Sequence, residues 1–479
     1  MSKGALLELS SHGVQDIYII GNPNYSHFKK VYKRHTNFSM ESIRGTFNGN
    51  GNFGEKITLE IPRSGDLLSS IIMEVDLPLL EASGSDTVNE IQYVSNIGQS
   101  LIEYAEFKIG GQTIDKQYTE WMFIWNQLTL SSSKIMEYNQ MIKSTSQNGP
   151  ITVYVPFQFW FCRDIANAIP LVALQYHDLE LEIKFRPLSK LYNFGDKQYY
   201  DLQYIGEEII NNTTLYTYGI VKGAIFSSYI GGKKYVYNNG NQEATITYKE
   251  SDKILLDVRL PDSGLTRGYV KPIYTLIGEP KISDIRLYLD YIYLDTFERS
   301  YFAREEHRYL IEQVQFSENI GVISSEQTKK IVLDFYLPVK ELFWVCQNDE
   351  ILQHNEILKF NNSPDTLYEN NKDDIINVSL LYNGSERFEV RNGEYFRLIQ
   401  PYQKHTNYVF DKYIYVYSFA TKPELHQPSG IANFSKIDKI EFIFNLRRKR
   451  SYNSTIKVFA INYNILRIAK GMGGIAFSN

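Results

Sequence analysis

A chain of 479 residues is too long for one hydrophobic core and suits two domains of about 200 residues each. Its 43% hydrophobic and 22% charged residues exclude disorder, and 50 basic against 55 acidic side chains, a net charge of −5, exclude a main surface that grips nucleic acid through counterion release. Two cysteines exclude a disulfide framework, and no apolar run of about 18 residues offers a membrane helix.

Taken in chain order, residues 1–24 end in the turn signal Gly21-Asn22-Pro23-Asn24 and hold too few periodic apolar positions to fold alone. They are predicted to form an arm that packs under the body or a neighbour. The early apolar run Ile17 to Ile20 is too short for a secretory signal, so the chain is expected in a reducing cytoplasm. A first domain is predicted over 25–210. Period-two alternation marks strands at Ile57, Leu59 and Ile61, and at Leu179, Leu181, Ile183 and Phe185. After Asp115 the stripe Tyr118, Trp121, Met122, Trp125 and Leu128 predicts an amphipathic helix. A second domain, 211–479, has a strand through Ile285, Leu287, Leu289, Tyr291 and Tyr293. Asp295 then N-caps a helix, with Glu298 three residues on. Strands follow at Ile440 to Leu446, running out through Arg447-Arg448-Lys449-Arg450 into a solvated turn, and at Phe459 to Ile465. Asn-Gly pairs at Asn48, Asn50, Asn148, Asn239, Asn383 and Asn392 supply hairpin turns. Polar stretches 188–208, 231–244, 348–374 and 382–394 are predicted as loops decorating one end.

Short motifs recur roughly 180 residues apart. Val75-Asp76-Leu77-Pro78 is echoed by Val258-Arg259-Leu260-Pro261, Ile114-Asp115 by Leu294-Asp295, and Phe159-Trp160-Phe161-Cys162 by Phe343-Trp344-Val345-Cys346. This predicts a duplicated domain. With 37 Tyr and 27 Phe favouring pleated surfaces, the fold expected is all-β: two consecutive eight-stranded antiparallel jelly-roll sandwiches with a few short helices in loops. Such a doubled chain points to a function of shape and symmetry.

Catalytic signatures are missing: no nucleophile elbow, Walker loop, Cys-x-x-Cys or His-Glu-x-x-His occurs. The eight histidines show no metal-ligand spacing, and His177 beside Asp178 reads as structural. The acid pairs Glu207-Glu208 and Asp373-Asp374 read as solvated, and Cys162 and Cys346 as core thiols. No catalytic, cofactor or metal residue is therefore predicted. Several Asn-x-Ser/Thr sequons occur, of which Asn361 and Asn383 lie in predicted loops and are the candidate glycosylation sites.

Several blocks resemble the major capsid proteins of nucleocytoplasmic large DNA viruses. They include Gly13-Val14-Gln15-Asp16-Ile17-Tyr18, Phe28-Lys29-Lys30-Val31-Tyr32-Lys33-Arg34-His35-Thr36-Asn37-Phe38, and Tyr417-Ser418-Phe419-Ala420 with His426-Gln427-Pro428-Ser429-Gly430. One departure is Ile431-Ala432, where many relatives carry a small polar residue and Cys. The resemblance implies a double jelly-roll subunit forming homotrimers that tile an icosahedral virion shell. Neighbouring capsomer trimers, minor capsid proteins beneath and penton proteins at the vertices are the implied partners. No sequence-specific nucleic acid contact and no cofactor is implied. Loops would meet the host surface, and assembly would proceed in the host cytoplasm. The block at His426 reads as a turn in which His426 makes a local hydrogen bond. A carbohydrate-binding or carbohydrate-cleaving β-sandwich is the alternative, and it predicts an exposed aromatic platform beside a carboxylate pair.

Overall fold

The computed structural model describes residues 3–83, 91–194, 198–210, 213–223, 235–238, 243–249, 253–256, 259, 265–272, 275–353, 355–360, 373–407, 412–447, 450 and 452–477. The chain opens with a helix, α1 (Lys3–Ser10), and an arm whose residues up to 37 are almost all exposed. The strands of five or more residues that follow are β1 (Phe38–Gly45), β2 (Lys56–Glu60), β3 (Leu67–Leu77), β4 (Ile102–Ile109), β5 (Gln112–Tyr118), β6 (Ile151–Pro156) and β7 (Leu179–Phe185). The chain then leaves the sandwich. Strands β8 (Gln198–Ile210), β9 (Thr213–Gly223), β10 (Tyr235–Asn238), β11 (Glu243–Lys249), β12 (Lys253–Leu256) and β13 (Leu265–Pro272) close a separate barrel in the order β8-β9-β12-β11-β10-β13. Leu215, Tyr218, Leu255 and Leu256 are buried in it.

The eighth strand, β14 (Asp284–Leu294), returns to slot between β1 and β3. Pairing thus carries the first sandwich to Leu294, beyond the boundary expected at residue 210. The stretches 188–208 and 231–244, expected as loops, contribute barrel strands. Likewise 382–394 is mostly a strand.

The second sandwich comprises β15 (His307–Val322), β16 (Thr328–Val332), β17 (Pro338–Asn348), β18 (Ile375–Tyr382), β19 (Ser385–Asn392), β20 (Tyr415–Ser418), β21 (Ile440–Leu446) and β22 (Ser454–Ala469). A short β23 (Met472–Ile475) pairs back on β22. In both sandwiches one sheet orders its strands first, eighth, third, sixth: β1-β14-β3-β6 and β15-β22-β17-β20. The other runs second, seventh, fourth, fifth: β2-β7-β4-β5 and β16-β21-β18-β19. This is the jelly-roll order, written twice.

The duplication is real, but its register is not the one the motifs suggested. Leu67–Leu77 corresponds to Pro338–Asn348, some 270 residues on. Trp160 sits in a helical turn after β6, whereas Trp344 lies within β17. Asp115 belongs to β5, whereas Asp295 follows β14 and caps a helix, Thr296–Arg304, accepting from the backbone N–H of Phe297 and Glu298. Residues 258, 260 and 261 lie outside those described. The echoes arise because any buried strand ending needs an apolar run and a breaker; strand order and register, which sequence does not print, identify equivalents.

The alternation along β17 explains how the sandwiches join. Leu342, Trp344 and Cys346 point into the second core with Phe442 and Phe444. Phe343 and Val345, on the opposite face, belong with Phe459 and Ile461 to the core of the first sandwich. A strand buried on both faces loses its polar alternation, and β17 is buried from Val339 to its end.

Candidate functional site

The feature that the two sandwiches build together is the seam between them. Its centre is a helix, α2 (Thr119–Thr129), in the connection between β5 and β6. It begins four residues after Asp115, and its residues 119–128 are all buried. The sequence predicted an amphipathic helix with one buried face; both faces are covered, and the second sandwich reaches the Trp stripe as well as Glu120. Trp121 stacks on Trp125 at 5.9 Å, and Trp125 meets Phe343 edge-on at 6.3 Å. Asn407 donates through its backbone N–H to Leu128 O at 2.9 Å and through its side chain to Gln127 O at 3.0 Å. These bonds satisfy carbonyls at the end of α2 that would otherwise be orphaned.

Beside α2, the free edge of β5 is knitted to β15. The Val314 N–H donates to Asp115 Oδ1 at 2.9 Å, Gln117 donates to Asp115 Oδ2 at 2.8 Å, and the Gln313 side chain donates to Ile114 O. Tyr118 packs on Phe316 at 4.9 Å. Burial raises the Asp115 carboxyl to about 6, against the pull of these donors.

Charges cross the seam in opposite-sign pairs. Glu120 on α2 meets Lys457 of β22 at 2.8 Å and Arg186 at 3.4 Å. Burial opposes its ionisation, but Lys457 and Arg186 outweigh this and hold it at about 2. Arg163 binds Glu312 at 2.7 Å, and Glu312 also contacts the fully buried Lys340. These two cations keep Glu312 below its usual range despite burial. Within the second sandwich, His405 is clamped between Glu341 at 3.0 Å and Glu424 at 3.1 Å. Burial alone would lower its pKa, yet the two carboxylates raise it to about 9. Such pairs add little net stability compared with apolar packing, but removing one partner strands a buried charge at a cost of about 3–5 kcal/mol. The pairs of Glu120 with Lys457 and of Arg163 with Glu312 fix the mutual setting of the sandwiches.

A cavity of about 230 Å³ lies between Trp160, Arg163 and Asp164 on one side and Glu424, Leu425 and His426 on the other. His426 thus faces the seam instead of bonding within its own turn. That turn is held by Thr421 N–H to Ser429 O at 3.1 Å and Lys422 N–H to Ser429 Oγ at 2.9 Å. Gly430 is required there: its φ is +144°, and a Cβ would lie 2.4 Å from Phe419 O.

Other predicted residues find plain places. His177 hydrogen-bonds Gly473 through Nδ1, and Asp178 pairs with Arg63 at 2.9 Å. Asp373 and Asp374 are not solvated: Asp373 binds Arg397 at 2.9 Å, and the Tyr452 hydroxyl donates to Asp374. Glu207 pairs with Arg259 at 3.7 Å. Arg447 and Arg450 are pins, not a free basic turn, the latter donating to Ile323 O and Glu326 O. Burial pushes the Cys162 thiol up to about 12 and the Cys346 thiol up as well. All four Trp are buried. Asn383 sits exposed at the β18–β19 turn with φ +50°, its side-chain carbonyl accepting the Lys439 N–H at 2.9 Å. Asn361 lies outside the described residues. Among the described residues no group of three or more His, Cys, Asp or Glu side chains is placed to hold a metal, and no helix is long and apolar enough to cross a membrane.

The faces that correspond to the seam on the outer flanks of the chain are open. Strand β1 is largely exposed, as is β19, and beyond β19 Tyr402 is 75% exposed. Phe28 in the arm is 99% exposed. Nothing in the residue pattern signals this difference, because apolar residues in exposed strands look like those in buried ones.

Residues 26–218 match a family described as "Major capsid protein N-terminus", and residues 298–474 match "Large eukaryotic DNA virus major capsid protein". The chain is 35% identical to the major capsid protein of Pyramimonas orientalis virus, covering 99% of this chain and 100% of that one. It is 32% identical to probable capsid protein 4 of Acanthamoeba polyphaga mimivirus, with 99% of each covered. Its fold is similar to a chain of the PBCV-1 virus capsid in a quasi-atomic description, with a TM-score of 0.67, 25% identity, and 95% and 100% of the two chains covered.

Proposed function

The chain belongs to the large eukaryotic DNA virus major capsid proteins, and from that premise we propose that it closes into homotrimers whose six sandwiches form a pseudo-hexagonal block tiling an icosahedral shell. The observation that carries this reading is the repeated strand order in two sandwiches fixed side by side by one buried seam. Threefold symmetry around such a doubled unit yields six similar wedges, while leaving each half free to diverge. An obligate interface of this kind buries roughly 2,000–5,000 Å² or more. Contacts between trimers would be weaker and more polar, so that misplaced blocks can leave.

In this reading the chain's place is the virion, after synthesis and assembly in the host cytoplasm. Neighbouring trimers, minor capsid proteins beneath and penton proteins at vertices are its partners. The barrel and the connections at that end of the sandwiches would be the host-facing surface, and Asn361 and Asn383 the candidate sugar acceptors. The alternative, a carbohydrate-binding or carbohydrate-cleaving sandwich, asks for an exposed aromatic platform, and the four buried Trp do not provide one. Electron microscopy of the purified protein tests the proposal: particles of hexagonal outline with trimer mass in native mass spectrometry are expected. A chain that stays monomeric at micromolar concentration refutes it.

A further inference from the structure

We propose that the cavity between Trp160 and His426 is a binding site for an uncharged amide carbonyl, carried by a peptide segment or by a small free amide. It lies within one chain, so it stands apart from the trimer reading.

Two equivalent connections build it. Residues 157–178 link the sixth and seventh strands of the first sandwich, and residues 419–439 link those of the second. Strand β7 starts at this end and leads into the barrel at the other, so the cavity opens away from the barrel. Both walls are pinned. The Asn167 N–H donates to Asp164 O at 2.9 Å and the Ala166 N–H to Asp164 Oδ1 at 3.0 Å, while Ser429 holds the opposite turn. Pinned walls spare a ligand part of the ordering cost. Asp164 and Leu425 line the cavity and are exposed, which gives it a mouth to solvent.

The lining carries donors in surplus. Trp160, 2% exposed, and Asn167, 7% exposed, have Nε1 and Nδ2 without a hydrogen-bond partner within the protein, as does Arg163 Nε. The acceptors nearby are taken: Glu312 by Arg163 and Lys340, Glu424 by His405 and the Thr406 N–H, and Asp164 by its own turn. A buried donor left unpaired loses its bonds to water without replacement.

Charge chooses the ligand. An anion would stand among Asp164, Glu312 and Glu424, with Arg163 already paired. Burial holds His426 below its usual range, so its ring adds no cation at neutral pH. A cation would face N–H groups. An amide oxygen accepts through two lone pairs and brings no charge. The volume, about 230 Å³, is far above the roughly 15 Å³ that one water needs.

Isothermal titration of the full chain with N-acetylglycinamide tests this, beside a crystal soaked in the same compound. Saturable binding at one site per chain is expected, with the carbonyl oxygen within hydrogen-bond distance of Trp160 Nε1 or Asn167 Nδ2. Asn167→Leu keeps the shape and removes the donor, and should bind about tenfold more weakly with an unchanged melting temperature. If that variant folds poorly, Asn167→Asp serves, because its carboxylate repels the oxygen. Acetyl-triglycine amide separates the sources: a gain of about tenfold or more over the single amide marks a polypeptide ligand, and equal affinity marks a small free one. A cavity holding only water in the soaked crystal overturns the site. Acetate binding as well as the amide overturns the choice of an uncharged ligand.

Discussion

Lys457→Met would separate the seam's electrostatics from its packing. Lys457 reaches Glu120 across the two sandwiches at 2.8 Å, and Arg186 bonds the same carboxylate at 3.4 Å. Glu120 is held at about 2 against an ordinary 4.5. A displacement of about 2.5 units corresponds to roughly 3 kcal/mol, at about 1.4 kcal/mol per unit. The independent expectation for stranding one partner of a buried pair is about 3–5 kcal/mol. Methionine keeps the volume, so the loss should be electrostatic. The double variant E120Q/K457M should recover about half of it, because the buried carboxylate is gone and only the partly exposed Arg186 loses its partner. The sign follows from the depressed pKa: the stabilisation is fully present above the unfolded value of 4.5 and is lost as pH falls towards 2. Urea unfolding followed by tryptophan fluorescence, with hydrogen exchange along α2 to isolate the seam, measures this at pH 7 and pH 3. An electrostatic role for the Glu120–Lys457 pair is refuted if K457M costs less than about 1 kcal/mol, if the double variant is no better than the single, or if both keep the wild-type acid limb.

His405 sets the opposite limb. Raised to about 9 by Glu341 and Glu424, it contributes stability that is complete below pH 6.5 and disappears as pH rises through 9; His405→Gln should flatten that alkaline decline in thermal melts, and an unchanged slope would refute the clamp. Trp125→Ala, which empties the space against Trp121 and Phe343, should cost about 3–5 kcal/mol and expose α2 to exchange. Excising residues 198–272 with a short linker should leave the sandwiches folded, because Gln198 pairs with Val270 and the barrel's two ends lie together; loss of the cooperative melt would show the barrel to be part of the core. Peptide mass mapping of protein from virions should find hexose-bearing mass on Asn383, and a wholly unmodified peptide would end that proposal.

Much of this architecture was legible before any coordinates. Period-two runs such as Leu179 to Phe185 locate strands because a half-buried pleat demands them, and Asp295 caps its helix as its side chain dictates. That the chain is β-rich could be read from its aromatic content and period-two runs, and two domains from its length; the doubling was expected from the motif echoes. What sequence could not supply was which strand lies beside which. The eighth strand of the first sandwich arrives from beyond a six-stranded barrel, and the motif echoes around Trp160 and Trp344 fall on non-equivalent strands. The destiny of α2 was equally hidden: its stripe of Trp and Met announces one buried face, whereas Glu120 and Asn126 on its other side are buried too, with Glu120 reaching Lys457 of the second sandwich. Local sequence fixes which residues avoid water within an element; pairing across hundreds of residues decides what covers the remainder, because that cover is supplied by distant segments whose pattern carries no address.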